Sequence, residues 1–316
     1  MAGRTIPSSP ARADFVLPFH LEGGAVSGRI VRLGPAANEI LSRHDYPTPI
    51  AALLGETLAL SAGLAGALKY DGVFTLQTKG NGPVSFLVAD VTSDGALRGY
   101  AQFDAARVPE DARMRPEGQS VPAWLGAGHL AFTVDQGGNT ERYQGLVALE
   151  GATLADCVHH YFRQSEQVET AIKVAVARDR DGWRCAALML QRLPDSGLNK
   201  ETVDDLWLDA LTLMATVTSA ELTGLDLSAN DLLFRLFHEI GVRVHESKPL
   251  IDRCRCSEER VIGMLQSFPR SEIESLMNDG VVDVDCEFCR RRYRFDAEAL
   301  ERVYVPPIGG SRTAGH

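Results

Sequence analysis

The chain lacks any long uninterrupted apolar run. Its most apolar stretch, Ile50 to Leu68, is broken by Glu56, Thr57 and Ser61 and contains Gly55, Gly63 and Gly66. It predicts a buried helix rather than a membrane span. Met1 to Asp14 holds Arg4 and Arg12 but no apolar segment. No secretory signal is expected, and the protein is expected in the cytosol, where thiols stay reduced. Gly80-Asn81-Gly82-Pro83 lacks the Gly-Lys-Ser/Thr continuation that cradles phosphate and reads as a turn. His238-Glu239 with His245 lacks the one-turn spacing of a metalloprotease helix. No pair of carboxylates stands out as an acid–base couple. These absences leave no catalytic constellation, and no enzyme is expected.

Positive charge is also short. The formal net charge is -10, with 45% hydrophobic and 23% charged residues. That balance is ordinary for a globular protein and opposes general binding to a phosphate backbone. Residues 253–305 carry nine Arg and no Lys against eleven Asp and Glu. The run Arg290-Arg291-Arg292-Tyr293-Arg294 therefore predicts a solvated hairpin face. A zinc-ribbon nucleic-acid-binding regulator is the alternative function, and this acid balance opposes it.

Cysteine is scarce, yet four of the six lie close together as Cys254-Arg-Cys256 and Cys286-Glu-Phe-Cys289, with 29 residues between the pairs. Two close pairs of thiols are what a tetrahedral all-sulfur zinc site requires. Cys254, Cys256, Cys286 and Cys289 are the expected ligands of one Zn2+ per chain. The adjoining Arg253, Arg255 and Arg290 are expected to favour the thiolate form. Such a site leaves no open coordination position and so offers no activated water. Cys157 and Cys185 stand alone and are expected in the core.

At 316 residues the chain can hold one large core and a smaller module. Strand patterns run over Ala25 to Leu33, Val73 to Thr78, Val84 to Val91, Leu97 to Phe103, Leu130 to Val134, Tyr143 to Leu149, Ala171 to Ala177 and Trp183 to Leu190. Tight turns such as Ser93-Asp94-Gly95, Gly137-Gly138-Asn139 and Asp179 to Gly182 separate them. Ile50 to Leu68 and Leu154 to Glu166 read as helices. Strands joined by short turns with few helices indicate an α+β fold, an antiparallel-sheet core with packed helices, over residues 14–195.

Residues 196–252 predict a helical linker. Val203, Leu206, Trp207, Ala210, Leu211 and Met214 recur at helical spacing, and Asn230 to Phe237 has little polar face. Helices this apolar must lie against something. Residues 253–305 form the zinc module, in which Ser257 caps a helix with Val261, Met264, Leu265 and Phe268 inward. Ser271 with Glu274 reads as a capping box for a second helix through Ile273, Leu276 and Met277. Val282 and Val284 lead into the second cysteine pair, and Tyr293 and Phe295 return as the partner strand. So small a core leaves stability to the metal, whose binding contributes roughly 10–16 kcal/mol in such modules. Residues 1–13 and 306–316 are expected to be a disordered and a flexible tail.

The cysteine pattern followed by Tyr293 and Phe295 resembles the C-terminal zinc module of the heat-shock protein 33 family of redox-regulated chaperones. Upstream landmarks agree: His44-Asp45-Tyr46-Pro47, Leu68-Lys69-Tyr70-Asp71-Gly72, Gly80-Asn81-Gly82-Pro83, Tyr143-Gln144-Gly145-Leu146-Val147, Glu150-Gly151, Tyr161-Phe162 and Ser165-Glu166-Gln167. The resemblance covers about 14 to 305. Asn81 stands where the family's pattern has Asp, in a turn that accepts either. The resemblance implies an ATP-independent holdase for unfolding client proteins under oxidative stress, reduced and monomeric when idle. It implies disulfides Cys254–Cys256 and Cys286–Cys289 on oxidation, zinc release, unfolding of module and metastable linker, and a homodimer when active. No nucleic-acid or membrane partner is implied. Uncovered, the linker helices would offer clients Leu206, Trp207, Leu211, Met214, Phe234 and Phe237.

Overall fold

The computed structural model describes residues 14–21, 23–109, 120–137, 142–194 and 197–304. The expected tails, most of the Gly137-Gly138-Asn139 turn and the 195–196 boundary lie outside these residues. The chain forms two compact units that part between Arg253 and Cys254.

The first unit opens with the hairpin β1 (Phe15–Leu21) and β2 (Val26–Leu33), then helices α1 (Pro35–Ser42) and α2 (Thr48–Ala65). A meander follows, β3 (Val73–Gly80), β4 (Val84–Thr92) and β5 (Ala96–Phe103), and then β6 (Gly128–Asp135) and β7 (Tyr143–Ala148). Helix α3 (Leu154–Tyr161) widens into a π-helical turn, Phe162–Glu166, ahead of β8 (Thr170–Asp179) and β9 (Gly182–Arg192). Helices α4 (Lys200–Ala215), α5 (Ser219–Thr223) and α6 (Ala229–Phe237) come next. Three short strands end the unit: β10 (Val242–Val244), β11 (Lys248–Pro249) and β12 (Ile251–Asp252).

Two sheets result. One runs β10-β1-β2-β9-β8, with β11 also on β1, and the other β12-β5-β4-β3-β6-β7. Helix α2 lies between them. Fifteen of its eighteen residues are buried, among Val31, Cys185 and Met189 of the first sheet and Leu76, Leu87 and Leu97 of the second. A helix apolar on every side needs cover on every side, and two sheets supply it. By length and composition α2 could cross a membrane; here it is the core. Its buried hydroxyls are internally satisfied, because Thr57 Oγ1 donates to the Leu53 carbonyl at 2.8 Å and Ser61 Oγ to that of Thr57 at 2.7 Å.

The opposite face of the first sheet is covered by the linker helices. Alternate residues Phe15, Leu17, Phe19 and Leu21 of β1, with Ile30, Leu188 and Leu190, meet Trp207, Met214, Leu222, Leu233 and Phe237. Gly28 makes room for this: a Cβ there would fall 2.0 Å from Phe19 Cζ. The Phe19 ring occupies that space and stacks on Phe237 with centroids 5.8 Å apart. Polar ties reinforce the docking. Arg32 Nη1 donates to the Leu227 carbonyl at 2.6 Å and Nη2 to that of Glu221 at 2.9 Å, and Arg192 pairs with Asp204 at 2.5 Å. Burial pushes the Arg32 guanidinium pKa down, so these carbonyls replace water it has lost. Arg32→Met is expected to speed amide exchange across α5 and α6 by about tenfold or more, since a hydrogen bond from a charged donor is worth about 1.5–3 kcal/mol. Hydrogen-exchange mass spectrometry of the reduced protein checks this.

Residues 238–252, which carried no strand pattern, also pack on the sheets. β10 pairs with β1 through Phe19 and Val244, β11 with β1 through Phe15 and Pro249, and β12 lies parallel to β5 through Ile251 and Ala96. Asp252 pairs with Arg43, and Arg253 with Asp94. Strands of two or three residues are too short for alternation to show in sequence.

The second unit holds α7 (Glu258–Leu265), α8 (Arg270–Ser275), β13 (Val281–Asp285), β14 (Arg292–Asp296) and α9 (Ala297–Tyr304). Its core is Leu265, Ile273, Val282, Tyr293, Phe295, Leu300 and Val303. Two expectations need correction. Met264 and Phe268 are 44% and 45% exposed, while Ile262 packs on the core beside Val261 and Leu265. The Ser271–Glu274 capping box does not form. Pro269, fixed in φ, occupies the cap position and starts α8 at Arg270, and Glu274 accepts from Arg270 Nε at 2.6 Å instead.

Candidate metal centre

Each cysteine pair is positioned by its own element ends. Cys254 and Cys256 follow β12 and run straight into the start of α7, where Ser257 Oγ accepts from the Arg260 N–H at 3.3 Å. Cys286 and Cys289 occupy the turn between β13 and β14, whose register sets Val282 opposite Phe295 and Val284 opposite Tyr293. The Cys286 N–H donates to the Arg291 carbonyl at 2.9 Å, and the Arg290 N–H to the Cys286 carbonyl at 2.7 Å. Arg290 takes the left-handed conformation, φ +56°, which turns the chain back after Cys289. The result is a rigid knuckle that aims both sulfurs to one side.

All four Sγ atoms lie within 4.8 Å of one another. Cys254 and Cys286 are 3.7 Å apart, and Cys256 and Cys289 3.4 Å. A tetrahedron of sulfurs about 2.3 Å from its centre has edges of about 3.8 Å. The four half-buried thiols therefore fit one soft dication, and their closed set leaves no room for water as a fifth partner. Cys157 and Cys185 are buried elsewhere, and burial pushes the Cys157 thiol up to about 11. Both are core residues.

At Cys286 and Cys289 burial opposes the expected pull of arginine on the thiols. Arg253 is committed to Asp94. Burial pushes the Cys286 thiol up and that of Cys289 up to about 12. Cys286 and Cys289 therefore hold a proton more readily than a free thiol does. A metal must expel those protons, so affinity falls as pH falls. Zinc retention in a competition with a chromogenic chelator is expected to drop steeply between pH 7 and about pH 5. A flat profile would exclude thiol ligation.

The arginine run does not present a free basic face. Arg292 Nε and Nη2 donate to the two oxygens of Asp285 at 2.8 and 2.9 Å, and Arg294 Nε to Asp283 at 3.0 Å. These cross-strand pairs cancel charge on the hairpin, which weakens the nucleic-acid alternative further.

The six linker side chains proposed from sequence as a client surface are divided by the fold. Trp207, Met214 and Phe237 are buried against the first sheet, Leu206 and Leu211 are half-buried, and Phe234 is 64% exposed. Sequence reasoning missed the sheet residues opposite them, Phe15, Leu17, Phe19 and Ile30. Alternation in Phe15–Leu21 carries that signal, but not which layer covers it.

Comparison with known proteins extends the likeness over both units. The family model described as Hsp33 protein matches residues 14–296. The 33 kDa chaperonin of Caulobacter vibrioides is 40% identical over 297 residues, 92% of this chain and 97% of that protein. That of Azotobacter vinelandii is 38% identical over 304 residues, 95% of this chain and 98% of its own length. The crystal structure of the 33 kDa chaperonin (heat shock protein 33 homolog) from Thermotoga maritima superposes with a TM-score of 0.78 at 26% identity, covering 92% of this chain and 98% of that one. Fold, four-thiol centre and near-complete alignment agree, and the chain belongs to the Hsp33 family.

Proposed function

We propose that the four-thiol centre is a redox latch, and that opening it frees the linker helices and the sheet beneath them to hold unfolding proteins. The family is one of redox-regulated holdases, chaperones rather than enzymes. The finer reading is that Cys254, Cys256, Cys286 and Cys289 hold one zinc ion in the reduced chain. The observation that carries it is the convergence of four Sγ atoms within 4.8 Å, in a unit whose core has seven buried side chains among the described residues. Metal binding supplies the folding energy that such a core lacks.

Each disulfide takes two electrons and two protons from a thiol pair, reducing one hydrogen peroxide to two waters. The pairs proposed are Cys254–Cys256 and Cys286–Cys289. In the folded cluster Cys254 approaches Cys286, and Cys256 approaches Cys289. Once the ligands begin to oxidise and the unit opens, however, cysteines two and three positions apart stay within reach. Partners 32 and 33 positions apart are separated by a long flexible loop. Leu206, Trp207, Leu211, Met214, Phe234 and Phe237, no longer held down, then offer apolar surface to a client. Two opened chains can also cover part of that surface mutually, which accounts for a dimer when oxidised and a monomer when reduced. A reducing compartment, the cytoplasm, keeps the latch closed until oxidant arrives.

The test measures zinc, free thiols and suppression of client aggregation on one sample titrated with peroxide under mild heating. About one zinc should be lost as four thiols become two disulfides, with holdase activity rising in parallel. Activity without zinc loss would overturn the latch. Serine at Cys157 or Cys185 should leave zinc content unchanged.

A further inference from the structure

We infer that the cavity between the π-helical turn, the edge strand β8 and helix α4 binds an amphipathic monoanion, a carboxylate on an aliphatic or aromatic body. Binding there would brace the linker helix on the core. The proposal adds a ligand to the linker equilibrium described above and rests on that reading only for its effect on activation.

The cavity measures about 610 Å³, within the range of small-molecule sites. Its apolar wall combines Ile172 and Val168 of the core with Trp207 and Leu211 of α4. Its polar wall carries two carboxylates and two basic groups, and the carboxylates are already engaged. Asp156 Oδ2 accepts from the Thr153 and Ala152 N–H groups at 2.9 and 3.1 Å. Glu169 accepts from Arg192 Nη1 at 2.6 Å. Arg163 and His159 are exposed at the rim, and no carboxylate among the described residues pairs with either. What remains for a ligand is therefore apolar area with the Arg163 guanidinium and the His159 ring at its mouth.

The backbone beside the cavity is irregular. Helix α3 widens over Phe162–Glu166 and ends at Gln167, which lines the cavity in the left-handed conformation at φ +53°. A widened helical turn is an uncommon arrangement that occurs often at binding sites. Here it carries Arg163 and leads into Gln167, bringing both to the cavity.

An occupant would touch both core and linker. Its contacts to Trp207 and Leu211 exist only while α4 is docked, so binding must favour the docked state. The probe is octanoate, with octylammonium as the same apolar body carrying the opposite charge. Titration calorimetry on the reduced, zinc-loaded chain should give one octanoate site, with no matching octylammonium site. Arg163→Glu should weaken octanoate binding at least about tenfold, the scale of one charge-assisted hydrogen bond. Octanoate should also slow amide exchange within residues 200–215 of the reduced protein. Equal binding of the two probes, or unchanged affinity in the Arg163→Glu chain, would overturn the proposal. Slowed exchange with an unchanged peroxide dose for activation would keep the site and count instead against linker release as the activating step.

Discussion

Stripping the metal from the reduced protein with a strong chelator is expected to unfold residues 254–304 and leave the first unit intact. The second unit buries Leu265, Ile273, Val282, Tyr293, Phe295, Leu300 and Val303. Such a core opposes the conformational entropy of about fifty residues, each costing about 1–2 kcal/mol in the backbone alone. The loss of roughly 10–16 kcal/mol of metal binding is larger than the net stability of most whole domains. Limited proteolysis should therefore cut throughout α7 to α9 after chelation, and near-ultraviolet dichroism from Tyr293 should vanish. Replacing Cys286 with Ser should reproduce both effects without chelator. A protease-resistant second unit after metal removal would show that its apolar core suffices, and the latch would lose its physical basis.

Truncation after Arg253 is expected to give a folded protein that suppresses aggregation of a heat-denatured client without oxidant or ATP. The cut keeps the Arg253–Asp94 and Asp252–Arg43 pairs and the β12–β5 pairing, so the first unit loses none of its own contacts. It removes every thiol of the latch. Linker release would then depend on the first unit's own contacts to α4 to α6: the apolar ones, each large side chain contributing roughly 1.5–3 kcal/mol, and the ties from Arg32 and Arg192. Arg32→Met in that background should raise activity further. Its guanidinium holds the Leu227 and Glu221 carbonyls, and losing these bonds destabilises docking by about 1.5–3 kcal/mol without removing client-binding surface. Serine at Leu206, Trp207, Leu211 and Phe234 should instead lower activity, because a client needs those side chains once they are free. A stable truncated chain with no holdase activity would shift client binding to the second unit.

Much of the fold was legible because its signals are local. The strand runs at Val73, Val84 and Leu97 appear as β3, β4 and β5, the first two ended by turns with glycine and the third by a turn that Asp104 caps. The helix read over Ile50 to Leu68 is α2, which starts two residues earlier and ends three earlier, and the two linker helices fall within a residue or two of α4 and α6. Faces were harder. Phe234 and Phe237 sit on one nine-residue helix in which almost every apolar side chain looks fit for burial. Phe237 is fully buried, while Phe234 is 64% exposed. Only the position of Phe19 above Gly28 decides between them.

The donor set of the metal centre is a property of the sequence itself. Two thiols with one residue between them and two with two residues between them can each chelate whatever the rest of the chain does, because that geometry is closed by a few bonds. Tertiary structure decided where the strain and the cover lie. It set the first sheet against α2 on one face and the linker helices on the other. It drew residues 242–252 onto β1 and β5 as strands too short to carry a pattern. Such pairings are made by backbone groups that every residue possesses, so side-chain order cannot announce them. They form where distant segments happen to leave unpaired N–H and C=O groups side by side, and only the folded chain specifies that.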